Sequence, residues 1–450
     1  MDNNNNANKK KTLQEKLAER KFHQPSKAVT FIYKTLASIV LLPQYAPHIT
    51  KSVDITKREG PCFLVWNHLS RLDHLYTMKA AYPDRYNMVA GYNEFFRSHL
   101  HLVFRLNQII PKKIFTNDRA GLKAMNSIIK QGGIVTFSPE GMSSIYGTNQ
   151  PVVPGSGHFL KHYGIPVYCM NFRGQYLTST KHFLETRKGR TEAELFLLFT
   201  PEQLKEMTAD EIQDKLNETF HHDDYEWGQK NHIKWKMHGR SAEHLDEICY
   251  VCPKCGGDLT MKAEGIKIWC TACGNGAVVN DYYEFEPYDS ECVFPVSPVK
   301  WVEQERVRII KEIRDDPEYS FTEEVDLGYL PPYKYVPKKY TSMPCGRGKI
   351  TFDHKGIHFD GEKLGDSWHF DLDYSVIYSL VIMTSTAQFS LYVNNQFYDF
   401  KPVSRRSVGK MLLITEEMHR YHYNVWKNFP WNDWMYEGMQ LGIDKPDNAK

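Results

Sequence analysis

The sequence predicts an α/β domain with a mixed or largely parallel sheet, then a compact cysteine-rich segment, then a small β-rich domain that ends in a helix. Three observations predict this order. Between residues 60 and 200, short apolar runs alternate with amphipathic segments of helical length. Two CxxC pairs lie between residues 248 and 290, and from residue 346 apolar and polar residues alternate as in antiparallel strands. Alternating strands and helices are typical of α/β domains.

The composition is that of a soluble globular protein with several domains. The 450 residues are 24% charged and 41% hydrophobic, and their formal net charge is +2. A chain of this length usually forms about three domains, and so small a net charge gives no general attraction to nucleic acid. Residues 1–60 are more basic, with 11 Lys or Arg against 5 Asp or Glu. We expect residues 1–59 to form a polar tail and a basic amphipathic helix that associates with membranes.

The longest apolar stretch is AVTFIYKTLASIVLL, residues 28–42. A helix of this length spans about 22 Å, less than the roughly 30 Å hydrocarbon core of a bilayer. Thr30, Lys34 and Ser38 recur at every fourth position and would form a polar stripe along it. This pattern fits a helix lying in a membrane interface. It fits equally a helix that packs its apolar residues against the protein core.

Residues 60–247 are predicted to form the α/β domain. Apolar runs predict its strands over Phe63–Trp66, Asn87–Ala90, Ile134–Phe137, Pro166–Met170 and Glu194–Phe199. Amphipathic segments predict its helices over His74–Ala81, Phe95–Leu106, Ala120–Lys130 and Gly157–Tyr163. Residues 201–247 are predicted to be polar helix and connector.

The motif NHLSRLDH, residues 67–74, follows the first predicted strand directly. It places His68 five residues before Asp73, so the two side chains would point about 140° apart if both were helical. If His68 instead lies on the strand-to-helix turn and Asp73 in the first helical turn, the carboxylate can reach back to the ring. An aspartate bonded to one imidazole nitrogen fixes the tautomer and leaves the other nitrogen as a base.

Two other interpretations of this motif stay open. His68, Asp73 and His74 could bind a metal, although the dinuclear pattern HxHxDH would need histidines where Leu69 and Arg71 stand. The pair could also be structural, with His68 in a turn and Asp73 as a helix cap.

A second polar motif, FSPEGMSS at residues 137–144, follows the strand predicted over Ile134–Phe137. It places Glu140 on a turn between proline and glycine. Ligands of open α/β sheets bind beyond the carboxyl ends of the strands, so we expect this turn to approach His68. Glu140 could also be a structural carboxylate of the turn.

Together, NHLSRLDH and FSPEG resemble the HxxxxD and FPEGTRS motifs of the phospholipid/glycerol acyltransferases, of the lysophosphatidic acid acyltransferase type. The resemblance covers about residues 60–200 and rests on two motifs about 70 residues apart. It implies transfer of a fatty acyl group from acyl-CoA or acyl-carrier protein to a lysophospholipid hydroxyl, in phospholipid biosynthesis. It also implies that His68 is the general base and Asp73 its orienter, with Glu140 and Gly141 shaping the substrate site.

The sequence departs from this family where phosphate would bind, because Ser143 stands in place of the FPEGTRS arginine. Lys112, Lys113 and Arg173 are candidate replacements, and lysine binds phosphate as a point charge. Each could equally be a solvated surface cation. The acceptor could therefore be phosphorylated or not.

Two CxxC pairs stand 14 residues apart: Cys252, Cys255, Cys270 and Cys273. Pairs at this distance are typical of a zinc ribbon, residues 248–290 here, and four sulfurs complete the tetrahedron of a structural zinc ion. Gly256 and Gly274 follow the pairs, where the backbone must turn. Residues 246–290 carry 3 Lys or Arg against 8 Asp or Glu. This balance argues against a nucleic-acid partner, because phosphate contacts dominate such binding.

The rest of the chain predicts a linker over residues 291–345, a β-rich domain over 346–425 and an aromatic-rich tail over 426–450. The linker is rich in proline, tyrosine and charge, and FSLYVNNQFYDF predicts a hairpin around Asn394-Asn395. Val408, Met411 and Leu412 begin a helical stripe. Antiparallel strands capped by one helix resemble a pleckstrin-homology or GRAM-like module.

These predictions favour an acyltransferase that works as a peripheral protein at the cytoplasmic, inner face of a membrane. Paired CxxC motifs suit such a reducing compartment. A function of another class also stays open, a non-catalytic lipid-binding or scaffold protein built on an acyltransferase fold.

Overall fold

The computed structural model describes residues 10–383, 385 and 387–423. The predicted order of units is confirmed, since a mixed α/β sheet is followed by a four-stranded and then a seven-stranded antiparallel sheet. The tail predicted over residues 426–450 lies outside the described residues.

The first sheet has seven strands in the order β1-β7-β6-β2-β5-β3-β4. Its strands are β1 Pro47–Lys51, β2 Cys62–Trp66, β3 Tyr86–Gly91, β4 Ile110–Lys112, β5 Ile134–Phe137, β6 Val167–Arg173 and β7 Thr191–Phe199. Strands β6, β2, β5, β3 and β4 are parallel to one another. Strand β7 runs antiparallel to β6 and parallel to β1. The sheet is therefore mixed and largely parallel, and it begins before residue 60.

Ten helices accompany this sheet in the described part of the chain. They are α1 Leu13–Ala18, α2 Lys27–Leu36, α3 Asp73–Ala81, α4 His101–Leu106, α5 Arg119–Lys130, α6 Ser156–Tyr163, α7 Gln175–Thr178, α8 Pro201–Glu206, α9 Ala209–Phe220 and α10 Asp224–Lys230. The single helix predicted over Phe95–Leu106 is wrong. A short 3-10 segment and α4 replace it, because Arg97 between them is extended and pairs with Val336.

Strand β2 is buried on both faces, which explains its uninterrupted apolar run. Phe63 and Val65 pack into one core cluster, whereas Leu64 and Trp66 pack into another on the opposite face. The β2–α3 turn is therefore anchored to a strand that has no exposed side.

Helix α2 exposes its apolar residues and turns its polar stripe toward the protein. Thr30 is buried, and the Lys34 ammonium lies 5.0 Å above the Tyr82 ring. Five apolar residues of α2 and the turn after it are 46% to 70% exposed: Phe31, Ile32, Leu36, Ile39 and Val40. The interpretation of this segment as a core-facing helix is thus wrong. No helix in the described ranges is long and apolar enough to span a bilayer.

The second sheet contains the cysteine-rich segment, with strands β8 Met261–Glu264, β9 Lys267–Cys270, β10 Gly276–Val279 and β11 Phe285–Pro287. The predicted linker that follows is wrong. It contains helix α11, Pro298–Asp315, and strand β12, Ser320–Tyr329. The charge that suggested a linker is partly buried, because Arg306 of α11 bonds to Glu416 and Glu417 at 2.7 Å each.

The third sheet has the order β15-β14-β13-β12-β18-β17-β16, and helix α12, Ser407–His422, follows it. Its other strands are β13 Met343–Asp353, β14 Gly356–Lys363, β15 Asp366–Leu372, β16 Val381–Ile382, β17 Phe389–Val393 and β18 Gln396–Pro402. The predicted hairpin is confirmed, since Asn394 and Asn395 have the positive φ angles of a type I′ turn. The unit begins at residue 320 rather than 346. Its likeness to a pleckstrin-homology or GRAM module stays a prediction.

Candidate active site

The turn after β2 carries His68 to the carboxyl edge of the first sheet. Strand β2 lies between β5 and β6 and is parallel to both, so the ends of the three strands meet there. The Asn67 amide donates to the Phe172 carbonyl at 2.9 Å, and its oxygen accepts from the Phe172 amide at 2.7 Å. This pair of bonds fixes the first residue of the turn against β6.

One carboxylate oxygen of Asp73 is bonded to three groups of the turn. Its Oδ2 lies 2.9 Å from Nδ1 of His68 and accepts the backbone amides of Leu69 and Ser70 at 2.9 and 3.0 Å. Asp73 is the first residue of α3, where a helix favours negative charge. Burial raises the pKa of Asp73, and the bond from His68 opposes that rise. Nδ1 of His68 is therefore engaged, and Nε2 is the ring nitrogen left for a substrate.

Glu140 braces the backbone of His68 from the second motif. Its carboxylate is fully buried and accepts the amide of His68 on one oxygen and the amide of Gln150 on the other, at 2.7 Å. The Ser144 amide donates to the His68 carbonyl at 2.7 Å. Burial raises the pKa of Glu140 to about 8. Both oxygens hold backbone amides and the side chain lines neither cavity described below, which fits the structural role that the sequence left open. A direct contact of Glu140 with substrate stays a prediction.

The His68 ring borders an apolar cavity of about 290 Å³. Aliphatic and aromatic side chains from β3, the β4–α5 loop, α5, β5 and α6 form much of its lining: Val89, Ile114, Phe115, Met125, Phe137 and Phe159. Gly141 lines it too, and a Cβ there would lie only 3.1 Å from the Val153 side chain. Gly141 also has a φ of +78°, which favours glycine.

The same ring borders a second, polar cavity of about 550 Å³. The charged residues of its lining are Arg71, Asp73, Glu94, Arg97 and Lys181. Asp73 is engaged with His68, and Glu94 lies 3.2 Å from Arg97. Positive charge therefore exceeds negative charge around this cavity.

The cations predicted from the sequence lie elsewhere. Lys112 and Lys113 line the apolar cavity, and Lys112 Nζ donates to the Lys113 carbonyl at 3.0 Å. Lys113 Nζ donates to the backbone and side-chain oxygens of Asn395 at 2.9 and 2.7 Å, so it joins the first sheet's domain to the third sheet. Arg173 is exposed at the end of β6 and lines neither cavity, so its substrate role stays a prediction without support from these cavities.

Lys181 is the cation that the sequence did not single out. It lies between α7 and β7, and its ammonium donates to the Ser143 hydroxyl at 2.8 Å. Burial lowers the pKa of Lys181 to about 8, while Glu94 acts in the opposite direction. No local pattern marks this lysine, because 38 residues separate it from Ser143.

The metal interpretation of the first motif has no support in the structure. His74 Nδ1 is bonded to the Tyr33 hydroxyl, and burial lowers the pKa of His74 to about 4. Within the described ranges, the four cysteines form the one group of three or more close potential ligands.

Those four cysteines form a compact cluster at the edge of the second sheet, where Cys270 ends β9 and the other three lie outside the strands, with all sulfurs within 4.8 Å of one another. The Sγ atoms of Cys252 and Cys273 lie 3.7 Å apart, and those of Cys255 and Cys270 lie 3.8 Å apart. Metal–sulfur bonds of about 2.3 Å in a tetrahedron place the sulfurs about 3.8 Å apart, and disulfide sulfurs lie at about 2.05 Å. The cluster thus has the dimensions of a four-sulfur metal site.

Comparison with known proteins matches the part of the chain that holds this site. Residues 47–173 match the Acyltransferase family. The matched segment contains His68, Asp73 and Glu140 and most of the first sheet. It ends before the cysteine cluster and the third sheet.

Two known proteins are similar to part of this chain. The chloroplastic 1-acyl-sn-glycerol-3-phosphate acyltransferase BAT2 of Brassica napus is 28% identical over 157 residues, or 34% of this chain. The chain matches only 43% of the length of that relative. The structure of the LPA acyltransferase PlsC from Thermotoga maritima has a TM-score of 0.36 and 16% identity, over 43% of this chain and 76% of that protein.

Within the α/β domain, the structure brings His68, Asp73 and Gly141 to one site. Sequence reasoning missed the supports of that site, Asn67 and Ser144 among them. Asn67 directly precedes His68, and Ser144 ends the second motif, so both had a signal in their position next to the motifs. Lys181 had none.

Proposed function

We propose that this chain is an O-acyltransferase that moves a fatty acyl group from acyl-CoA or acyl-carrier protein to a lysophospholipid like 1-acylglycerol-3-phosphate. One observation carries the proposal. The His68 ring, bonded to Asp73, borders both an apolar and a cationic cavity. The family match and the named activity of the Brassica napus relative support the same class of reaction.

In this mechanism, Nε2 of His68 takes the proton of the acceptor hydroxyl while its oxygen attacks the thioester carbonyl. Asp73 holds Nδ1 and stabilises the positive charge that forms on the ring. The tetrahedral intermediate then breaks its carbon–sulfur bond, and the leaving thiolate takes the proton from His68. A base of this type contributes about 10²–10⁴-fold to the rate. The acyl group passes directly between substrates, without an acyl-enzyme.

The two cavities suit the two substrates of the reaction, the acyl donor and the acceptor. The apolar cavity has the lining that an acyl chain requires, since each buried methylene contributes about 0.8 kcal/mol. The polar cavity suits a phosphorylated acceptor, because Lys181, Arg71 and Arg97 line it. Lys181 would then supply the positive charge that the family's arginine supplies in the second motif.

We also propose that the protein works at a membrane surface, on the cytoplasmic side. The exposed apolar face of α2 supports this, because its polar stripe is already turned toward the protein. Tyr33 of α2 bonds to His74, which lines the polar cavity. A membrane in contact with α2 would therefore lie beside the cavity that takes the lipid acceptor.

The cysteine cluster is proposed to hold a structural zinc ion, because four thiolates leave no coordination position for a substrate. The hydrogen bonds around the cluster indicate which part of the fold the ion would stabilise. Glu305 of α11 accepts the amides of Tyr250 and Val251 at 2.6 and 2.8 Å, and the Trp301 indole donates to the Val251 carbonyl at 2.8 Å. The first CxxC pair thus begins directly beside α11, which contacts α12 of the third unit.

Release of free thiol from acyl-CoA in the presence of lysophosphatidic acid tests the proposal. We expect turnover by the native chain, and a loss of about 10²-fold or more in His68→Ala with folding retained. His158→Ala, at an exposed histidine of α6, is the matched control and should keep full activity. Equal thiol release by His68→Ala and the native chain would contradict the proposal and favour a non-catalytic lipid-binding protein.

A further inference from the structure

The third sheet's unit reaches into the substrate cavities of the acyltransferase domain. Tyr378 lines the apolar cavity, and Val381, Ile382 and Met383 line the polar one. We call residues 378–383 the wall segment. The matched family segment ends at residue 173, so the wall segment lies well outside it.

Tyr378 is held between the two units by aromatic contacts. Its ring lies 4.9 Å from the ring of Phe115, which lines the same cavity, at an interplanar angle of 63°. On its other side, it lies 5.8 Å from the ring of His419 in α12. Edge-to-face pairs at these distances are favourable beyond the area that they bury. Tyr378 is thus a supported part of the cavity lining.

Further contacts hold the wall segment in place. Met383 and Phe397 of the third unit share a buried cluster with Phe95, Phe96 and Ile109 of the acyltransferase domain. The Lys113 ammonium bonds to Asn395 in the hairpin between β17 and β18. Backbone bonds of 2.7 and 2.8 Å join Val336 to Phe96 and Ser98. The contact between the units therefore combines apolar packing with side-chain and backbone hydrogen bonds.

We propose that the third unit completes the acyl site and that Tyr378 limits the length of the acyl chain that the site accepts. This inference rests on the proposed acyl transfer and adds its substrate class, fatty acyl thioesters up to the length that the Tyr378–Phe115 pair permits. The apolar cavity is small, about 290 Å³, so one aromatic ring in its lining changes the available space substantially. The acyltransferase domain alone would leave this side of the cavity open.

A chain-length profile tests the inference, with kcat/KM measured on saturated acyl-CoA donors from short to long and lysophosphatidic acid as acceptor. Tyr378→Ala removes the ring, so we expect the optimum to move to longer chains. Each added methylene that gains contact should raise kcat/KM by about fourfold relative to the native profile. Tyr378→Trp enlarges the ring and should move the optimum to shorter chains. Tyr333→Ala, at an exposed tyrosine of the same unit that lines neither cavity, is the control and should leave the profile unchanged.

Opposite shifts in the alanine and tryptophan variants cannot arise from a general loss of structure, which would lower kcat/KM at every chain length alike. An unchanged optimum in both variants, or a uniform loss across all lengths in both, would overturn the inference while native turnover still supports acyl transfer. If Tyr378→Ala fails to fold, the tryptophan variant decides alone. Absence of turnover in the native chain would instead overturn the proposed function.

Discussion

The ammonium of Lys181 lies 2.8 Å from the hydroxyl of Ser143, although the two residues are 38 positions apart. The FPEGTRS motif has arginine where this chain has Ser143. The connection between α7 and β7 therefore brings a cation to the place where the second motif lacks one. Both residues line the polar cavity beside His68, so the pair is positioned to contact the acceptor that we propose.

Replacement of this cation should affect phosphorylated acceptors selectively. We expect Lys181→Met to raise KM for lysophosphatidic acid by about tenfold to a hundredfold, since hydrogen bonds to charged groups contribute about 1.5–3 kcal/mol. KM for monoacylglycerol, which lacks phosphate, should stay unchanged. Lys188→Met, at an exposed lysine of the same connection, is the matched control. Equal effects of Lys181→Met on both acceptors would contradict a phosphate-binding role.

The pH dependence of acceptor use should reflect the same lysine. Burial lowers the pKa of Lys181 to about 8, so its ammonium is charged below that pH and neutral above it. For lysophosphatidic acid, kcat/KM should therefore fall as pH rises through about 8, and monoacylglycerol should show no such step. Lys181→Arg keeps its charge at higher pH and should remove the step. A step shared by both acceptors would assign it to another group.

The bond between His68 and Asp73 predicts the effect of Asp73→Asn. The amide oxygen can still accept the Leu69 and Ser70 amides, so the turn should keep its shape. The neutral side chain no longer stabilises the charged ring, and we expect kcat to fall by about 10²-fold or more with little change in KM. Steady-state kinetics measures kcat and KM, and the melting temperature shows whether the fold is retained. Native kcat in a folded Asp73→Asn protein would show that the ring needs no orienting carboxylate.

Removal of the proposed zinc should destabilise the second sheet and its contact with α11. A chelator, or Cys255→Ser, should release about one zinc ion per chain and lower the free energy of unfolding by about 4 kcal/mol, as for a ligand at a thousand times its Kd. Trp301 fluorescence reports the change next to the cluster, and metal analysis gives the stoichiometry. Cys292→Ser, outside the cluster, should retain the metal. A native chain without bound metal would contradict the assignment.

The exposed face of α2 predicts weaker membrane binding when it is made polar. Ile32 and Ile39 are 65% and 70% exposed, so replacing both by serine should leave folding unchanged. Sedimentation with vesicles of phosphatidylcholine and phosphatidic acid should then show affinity reduced by about tenfold or more. The control replaces Val296 and Val376 by serine. Both are also exposed, but they lie far along the chain from α2. Equal loss in both double variants would indicate that binding is unspecific.

Several features of the site followed from local pattern. The strand predicted over Ile134–Phe137 has the same bounds in the structure, and the turn and first helical turn around His68 and Asp73 are as expected. Apolar runs and helix starts depend on neighbouring residues, which the sequence displays directly. The prediction of a linker over residues 291–345 was wrong because the contacts that decide it are distant in the sequence. The charge of α11 suggested solvent, but Arg306 is neutralised by glutamates 110 and 111 positions away.

The sequence by itself determined the two polar turns at strand ends, the histidine–aspartate spacing and the cysteine pairs, because each is a short stretch whose geometry depends on its own backbone. Only the tertiary structure decided that Glu140 supports His68, that Lys181 reaches Ser143 and that Tyr378 lines the apolar cavity. These contacts join residues tens to hundreds of positions apart. They form because parallel strands align their carboxyl ends and because two units bury a shared apolar surface, and neither arrangement leaves a periodic signal in the chain.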